Sequence, residues 1–334
     1  MNRRHMLAVL GAAILVAAGI IIAIVVLRSD HVGQEKTSLR LKWIAYIGWA
    51  GEYAALDRGL WKDQGLDVDV RPGGFEQDPI RLVPSGSDQF GVVGGDTLLQ
   101  AREKGLPVVA IALQYQTSPA GFMAKASSGI KTPKDFQGRK VGISPGTDKH
   151  SVYLAMLSAA RVDRSKIVEV PVKVDLTPFF MDQVEVFPVF ITNQPITARD
   201  KGFEVNVIDP KDYGVSYIGN VYFTTEEMIL KHPERVRRFL AGVIQGWEWA
   251  LSAPEEQVVT MILKYNKELD RKNQRRVLSA VKPYIKPPNG RVGWMTREQW
   301  VSTSKILREQ GALQSEVDVD KAFTMKFLED VYGR

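Results

Sequence analysis

The sequence predicts an α/β protein with two lobes, because strand and helix patterns alternate along most of the chain. An apolar run at residues 41–47 is followed by a helical pattern and by a second short strand at residues 68–70. The pattern changes near residues 121–126 and returns near residues 221–224, so a second lobe is inserted into the first. Two chain crossings imply a cleft between the lobes and a hinge, as in hinged binding proteins.

Composition excludes several classes of function. The chain has 334 residues, a formal net charge of +6 and no cysteine. Lys and Arg are scattered among Asp and Glu, whereas nucleic-acid binding favours a clustered basic stripe. The absence of cysteine excludes disulfides, thiol catalysis, cysteine-based zinc sites and a lipid-modified N-terminal cysteine. No pair of histidines has metal-ligand spacing. We therefore expect no metal, no cofactor and no nucleic-acid partner.

The N-terminal segment predicts export. Arg3 and Arg4 precede an uncharged apolar stretch, residues 6–27, which as a helix is about 33 Å long and is able to cross a bilayer. Residues 1–28 are predicted to be an uncleaved signal-anchor with its amino end in the cytoplasm. A cleaved signal peptide remains the alternative. Residues 29–39 are polar and read as a linker, and the remainder is expected at the periplasmic face of the inner membrane.

The two lobes follow from the order of the elements. Residues 40–122 and 221–334 are assigned to the first lobe, and residues 123–220 to the second. Strands are predicted at residues 90–93, 108–113, 139–143, 167–174, 185–191 and 205–208. From residue 226 the chain is predicted to be helical, and the apolar residues between 236 and 251 repeat at three- and four-residue spacing, which indicates a helix facing the core.

Tyr46, Trp49 and Glu52 follow the first predicted strand. Ligands of parallel α/β sheets bind beyond the carboxyl ends of the strands, so two aromatic rings and a carboxylate in this loop indicate a ligand site. Each residue also has a structural interpretation. Trp49 would suit a core anchor at the start of a helix, and Glu52 a first-turn carboxylate that favours the helix dipole.

Five segments carry a resemblance to a known family. They are YAALDRGLWKDQGLDV at residues 53–68, FGVVGGDT at 90–97, GLPVV at 105–109, KTPKDFQGRKVG at 131–142 and VFPVFITNQP at 186–195. In this order and spacing, residues 41–264 resemble the periplasmic solute-binding proteins of ABC importers. Within them the chain is similar to the family of thiamine-pyrimidine-precursor-binding proteins and pyrimidine synthases, with riboflavin-binding components as close relatives.

The resemblance implies a type II periplasmic-binding fold with a ligand held between the lobes. It also implies a set of cleft residues at the strand ends, namely Tyr46, Trp49, Glu52, Gly95, Asp96, Thr97, Gln114, Tyr115, Gly146, Thr147 and Asn193.

A flat heterocycle would stack on Trp49, Tyr46 or Tyr115, each offset stack adding about 1 kcal/mol beyond burial. Glu52 or Asp96 would accept a hydrogen bond from a ring N–H or amino group. Asp96 and Thr97 also suit capping of their own helix. The backbone N–H groups of residues 94–95 and 144–147 lie at predicted helix starts, where an anion would bind.

The leading hypothesis is a non-catalytic, monomeric receptor. It delivers a thiamine pyrimidine precursor or a riboflavin-like ligand to the permease subunits of an ABC importer. The alternative in the same class is capture of an alkylsulfonate, nitrate or similar anion. The enzyme branch of the resembling family uses a histidine, pyridoxal phosphate and a cysteine-rich iron motif. Because this chain has no cysteine, a pyrimidine synthase is the disfavoured interpretation.

Overall fold

The computed structural model describes residues 34–74 and 76–333. The predicted leader at residues 6–27 lies outside these ranges. Within them, no helix combines the length and the apolar character that a membrane span requires.

The first lobe is built on one five-stranded sheet. Its strands are β1 (Glu35–Arg40), β2 (Leu66–Arg71), β3 (Phe90–Gly94), β4 (Val108–Leu113) and β10 (Asn220–Thr225). They lie in the order β2-β1-β3-β10-β4. β1 is parallel to β2 and β3, and β10 is antiparallel to β3 and β4. The last strand therefore returns from the second lobe into the middle of the first sheet.

The second lobe repeats this plan. Its strands are β5 (Ala120–Lys125), β6 (Lys140–Ile143), β7 (Val168–Pro171), β8 (Val186–Phe190) and β9 (Val205–Ile208), in the order β7-β6-β8-β5-β9. β5 runs antiparallel to both of its neighbours. β5 begins at Ala120, inside the range that the sequence assigned to the first lobe. The chain crosses between the sheets twice, from β4 to β5 and from β9 to β10.

Helices cover both sheets and form the C-terminal part. They are α1 (Ala50–Asp57), α2 (Pro79–Leu82), α3 (Gly95–Glu103), α4 (Asp148–Ala159), α5 (Thr177–Phe180), α6 (Gln194–Asp200), α7 (Glu226–Lys231), α8 (Pro233–Ser252), α9 (Glu255–Ile262), α10 (Arg271–Ile285), α11 (Arg297–Glu309) and α12 (Lys326–Tyr332). The predicted apolar stripe lies on α8 and is buried from Val236 to Trp247. α8 crosses α1 so closely that a Cβ on Gly246 would lie 2.1 Å from the carbonyl oxygen of Gly51.

The prediction of a first strand at residues 41–47 is wrong. The strand is β1, which begins in the predicted linker, ends one residue beyond it, and pairs with β2 from Glu35↔Leu66 to Arg40↔Arg71. Residues 41–46 form a loop, followed by a short 3₁₀ turn, Ile47–Trp49. Leu41 and Ile47 are buried in this irregular backbone. The apolar residues at 41–47 correctly indicated a buried segment. The backbone that pairs as a strand is the more polar segment before it, Glu35–Arg40.

Glu52 lies in the first turn of α1 and is completely buried. Its Oε1 accepts a hydrogen bond from the Tyr222 hydroxyl at 2.6 Å, and the Trp247 Nε1 donates to that hydroxyl at 2.8 Å. This chain of bonds joins α1 to β10 and α8. Burial raises the pKa of Glu52 to about 8, against the weaker opposing effect of the Tyr222 hydrogen bond. The carboxyl group is therefore mostly neutral at pH 7.

Glu52→Gln is expected to flatten the pH dependence of stability. The folded-state pKa lies above the ordinary value of 4.5, so between pH 5 and pH 8 the folded chain holds a proton that the unfolded chain loses. This group therefore lowers the free energy of unfolding as pH rises, by up to about 1.4 kcal/mol per pH unit. Urea denaturation at several pH values measures the slope. Glu309→Gln, at an exposed position on α11, is the control. Equal slopes for wild type and Glu52→Gln would contradict the assignment.

Candidate ligand-binding site

A cavity of about 480 Å³ lies between the two lobes, a volume typical of sites for small organic ligands. The first lobe contributes Lys42, Trp43, Tyr46, Trp49, Gly74, Asp78, Pro79, Val93, Gly94, Thr97 and Asn220 to its lining. The second lobe contributes Ser144, Pro145, Gly146, Thr147, Asp148, Lys149, Val172, Lys173, Val174, Phe190, Asn193 and Gln194. The site thus uses the loops beyond strand ends in both lobes.

Aromatic side chains dominate one part of the first-lobe wall. Tyr46 and Trp49 meet edge to face, with ring centroids 6.0 Å apart and an interplanar angle of 85°. Trp49 is 2% exposed, and its Nε1 donates to the carbonyl oxygen of Ile44 at 3.1 Å. A Cβ on Gly48 would lie 2.3 Å from Cζ of Tyr46. Glycine at this position therefore lets the Tyr46 ring lie against its own loop.

The second-lobe wall is formed by the turn between β6 and α4. The Thr147 hydroxyl donates to the carbonyl oxygen of Ser144 at 2.7 Å. Gly146 has a φ of +76°, a conformation that glycine adopts at little cost. Beside this turn, Phe190 lies at the end of β8, and Asn193 precedes α6. The turn therefore places backbone and side-chain polar groups opposite the aromatic wall.

An ion pair joins the lobes across the cavity. The Lys42 ammonium donates to Oδ2 of Asp148 at 3.1 Å and to Oδ1 of Asn220 at 3.3 Å. Asn220 donates through Nδ2 to Oε1 of Gln114 at 2.9 Å, and Gln114 donates through Nε2 to the carbonyl oxygen of Gly48 at 2.9 Å. A continuous chain of hydrogen bonds therefore leads from the aromatic loop to the inter-lobe ion pair.

Charges at the cavity perturb one another. Burial raises the pKa of Asp96 to about 6, and the charge of Asp148 acts in the same direction, whereas Lys42 opposes it. Burial disfavours the Asp148 anion, but Lys42 and Lys149 outweigh burial and hold the pKa of Asp148 below its ordinary value. Burial lowers the pKa of Lys149, and the charge of Asp148 only partly offsets that effect. The ionised state of Asp148 thus depends on cations from both lobes.

The structure brings together part of the set predicted from the sequence. Tyr46, Trp49, Thr97, Gly146, Thr147 and Asn193 line the cavity. The other predicted residues lie outside its lining, namely Glu52, Gly95, Asp96, Gln114 and Tyr115.

The predicted residues outside the lining form contacts with the protein itself. Tyr115 is 1% exposed and interacts with the hydroxyl of Tyr46. Gln114 supports the loop that contains Tyr46 by donating a hydrogen bond to the carbonyl oxygen of Gly48. Gly95 donates its backbone N–H to the carbonyl oxygen of Gly219 at 2.9 Å, and Asp96 accepts from the Thr97 hydroxyl at 3.4 Å.

The sequence-based prediction missed the charged residues of the lining, two aromatic residues and the amide of Asn220. The missed residues include Lys42, Trp43, Asp78, Asp148, Lys149, Lys173, Phe190 and Asn220. Lys42 and Trp43 fell in the segment assigned to a strand. Lys149 and Phe190 are close in sequence to Thr147 and Asn193, so extending each predicted loop by a few residues would have included them.

Solved structures with the same fold include sulfonate-binding proteins. The periplasmic aliphatic sulphonate binding protein SsuA from Escherichia coli superimposes with a TM-score of 0.70 at 17% identity, over 87% of this chain and 92% of that one. The alkanesulfonate-binding protein SsuA from Xanthomonas axonopodis pv. citri, bound to MOPS, gives 0.69 at 13% identity, over 87% and 98%. The predicted periplasmic-binding fold is thereby confirmed.

Curated relatives cover nearly the whole chain. The riboflavin-binding protein RibY from Chloroflexus aurantiacus is 29% identical over 88% of this chain and 86% of its own length. The formylaminopyrimidine-binding protein from Halalkalibacterium halodurans is 24% identical over 89% and 92%. A 4-amino-5-hydroxymethyl-2-methylpyrimidine phosphate synthase from Legionella pneumophila is 20% identical over 89% and 93%. The family described as NMT1/THI5 like matches residues 47–257, and the chain therefore belongs to the NMT1/THI5-like family.

Proposed function

We propose that this chain is the solute-binding component of an importer and captures a small aromatic heterocycle between its lobes. The observation that carries the proposal is the cavity of about 480 Å³, with Trp43, Tyr46 and Trp49 on one wall and a polar turn on the other. Flat rings gain from such a wall through burial and edge or offset stacking. Two lobes connected by two crossings are able to close around a ligand of this size.

The names of the relatives support the ligand class. One is named for riboflavin and another for formylaminopyrimidine, and both names denote flat nitrogen heterocycles. The lining residues Tyr46, Trp49, Thr97, Gly146, Thr147 and Asn193 are proposed to touch the ligand. Glu52, Gly95, Asp96, Gln114 and Tyr115 are proposed to support the wall from behind.

The remaining parts of the proposal concern setting and partners. The protein is proposed to be a non-catalytic monomer at the periplasmic face of the inner membrane, where it passes its ligand to an ABC permease. A synthase activity is disfavoured because the chain offers no thiol ligand. The relative named as a riboflavin-binding protein, at 29% identity, is also more similar than two relatives named as synthases, at 20% and 24%. The proposed lobes are close to residues 40–122 with 221–334 and residues 123–220. The bounds are shifted so that β1 and Asn220 belong to the first lobe and β5, from Ala120, belongs to the second.

Trp43→Ala is expected to weaken ligand binding about tenfold or more, because a buried ring contact contributes at least the 1.4 kcal/mol that a tenfold change represents. Titration calorimetry of the full chain with riboflavin, an aminopyrimidine and thiamine identifies the ligand and measures the change. Trp249→Ala is the matched control, because Trp249, on α8, is also half-buried. Its ring packs against Arg58 and lies outside the cavity lining. Equal losses in both variants would contradict a contact between Trp43 and the ligand. No binding of any of these compounds would contradict the proposed ligand class.

Asp148→Asn is expected to open the lobes of the ligand-free protein, because it removes the charge partner of Lys42 across the cavity. The radius of gyration measured by small-angle scattering should rise, and Lys42→Met should raise it similarly. The double variant should add little, since both changes remove the same interaction. Asp320→Asn, which breaks the Arg297–Asp320 pair at the surface, should leave the radius unchanged. Additive effects of the two cavity changes would show that the pair does not hold the lobes together.

A further inference from the structure

We infer that the ligand is an aromatic ring that carries an anionic group, and that Lys149 receives this group. The inference rests on the proposed capture of a heterocycle in the same cavity and names the chemistry of that ligand more narrowly. It excludes a wholly neutral flavin or pyrimidine as the preferred ligand. The class that remains comprises ring compounds with a phosphate, carboxylate or sulfonate substituent.

The charge of Lys42 is already engaged by other groups of the protein. Its ammonium lies 3.1 Å from Oδ2 of Asp148 and 3.3 Å from Oδ1 of Asn220. The Asn220 amide is oriented by Gln114, so its oxygen faces Lys42. Lys42 is therefore held by the protein and is the less available of the two half-buried lysines at the cavity, Lys42 and Lys149.

The carboxylates that line the cavity are also engaged by other groups of the protein. Oδ1 of Asp148 accepts from the backbone N–H of Lys149 at 3.0 Å, and its Oδ2 accepts from Lys42. Asp78 caps α2, because its Oδ1 accepts from the backbone N–H of Ile80 at 3.2 Å. Both lining carboxylates are thus committed to the protein itself, and neither neutralises the side chain of Lys149 through a hydrogen bond.

Lys149 lines the cavity and lies against an aromatic ring. Its Nζ lies 4.2 Å from the centroid of the Phe190 ring, and within residues 34–74 and 76–333 no ion pair includes it. Burial lowers the pKa of Lys149, the charge of Asp148 raises it, and the neighbouring Lys42 lowers it again. A partly desolvated ammonium that lines a cavity, lies against a ring and forms no ion pair is stabilised when an anion arrives.

The lysines beside α4 and the aromatic residues of the first lobe lie on different walls of the cavity. Lys149 lies in the first turn of α4, a helix of 12 residues whose N-terminal end faces the cavity through Thr147 and Asp148. The exposed Lys173 lies on the same side. Positive charge therefore accumulates on the second-lobe wall, whereas Trp43, Tyr46 and Trp49 lie on the first-lobe wall. A ligand that suits both walls has its ring at one end and its anion at the other.

The test compares probes that differ only in one charged group. Calorimetry of the full chain pairs riboflavin with its phosphate ester, and a hydroxymethyl aminopyrimidine with its phosphate ester. Methanesulfonate provides charge without a ring. In wild type the ester should bind about tenfold or more tightly than its neutral partner. Lys149→Gln should weaken the ester about tenfold and the neutral compound less than about twofold. Lys149→Arg should keep the preference, and Lys140→Gln, at an exposed position, should not alter it.

The outcomes separate this inference from the proposed function. Equal affinity within each pair, tighter binding of the neutral member, or a preference that survives Lys149→Gln would overturn the inference and leave capture of a heterocycle standing. Binding of methanesulfonate that is lost in Lys149→Gln, without binding of any ring compound, would support the anion site and overturn the heterocycle. Absence of binding by every probe would overturn both.

Discussion

The chain of hydrogen bonds that ends in the Lys42–Asp148 ion pair is the interaction on which the arrangement of the site depends. The carbonyl oxygen of Gly48 only accepts, so the Gln114 amide must turn its nitrogen toward it. That choice turns the oxygen of Gln114 toward the nitrogen of Asn220, and the oxygen of Asn220 toward Lys42. Every amide in the chain therefore has one orientation. A single ammonium is fixed where the two lobes meet, next to both chain crossings.

The fold was predictable where a periodic pattern reports burial directly. α8 was found from the three- and four-residue spacing of its apolar residues, and β4 from a continuous apolar run. β1 was missed because its sequence, EKTSLR, is mostly polar and is selected by pairing in register with β2. The apolar residues after it are buried in a loop. A run of apolar residues indicates that a segment is buried. It does not indicate whether the backbone of that segment forms hydrogen bonds with a neighbouring strand.

The site was predictable at the level of loops and not of individual side chains. The end of β6 indicated the turn at residues 144–147, which lines the cavity. The loop that contains Tyr46 also lines the cavity, although it follows β1 and not the strand predicted at residues 41–47. Glu52 lies in one of these loop-to-helix segments but faces the core, because the first turn of α1 packs against β10 and α8. Which face of a helix meets the cavity depends on tertiary packing. Lys149, the second residue of α4, was missed for the same reason, because its position at the cavity depends on how α4 packs.

A ligand held between the lobes should favour their closed arrangement, and the distance between the lobes tests this most directly. Because the chain has no cysteine, Gln77→Cys in the first lobe and Gln137→Cys in the second, both at exposed positions, place one dye on each lobe. Energy transfer should rise on addition of the ligand identified by calorimetry and saturate at the same dissociation constant. Saturable binding without any change in energy transfer would contradict the account, because the ligand would then occupy a site that closure does not affect.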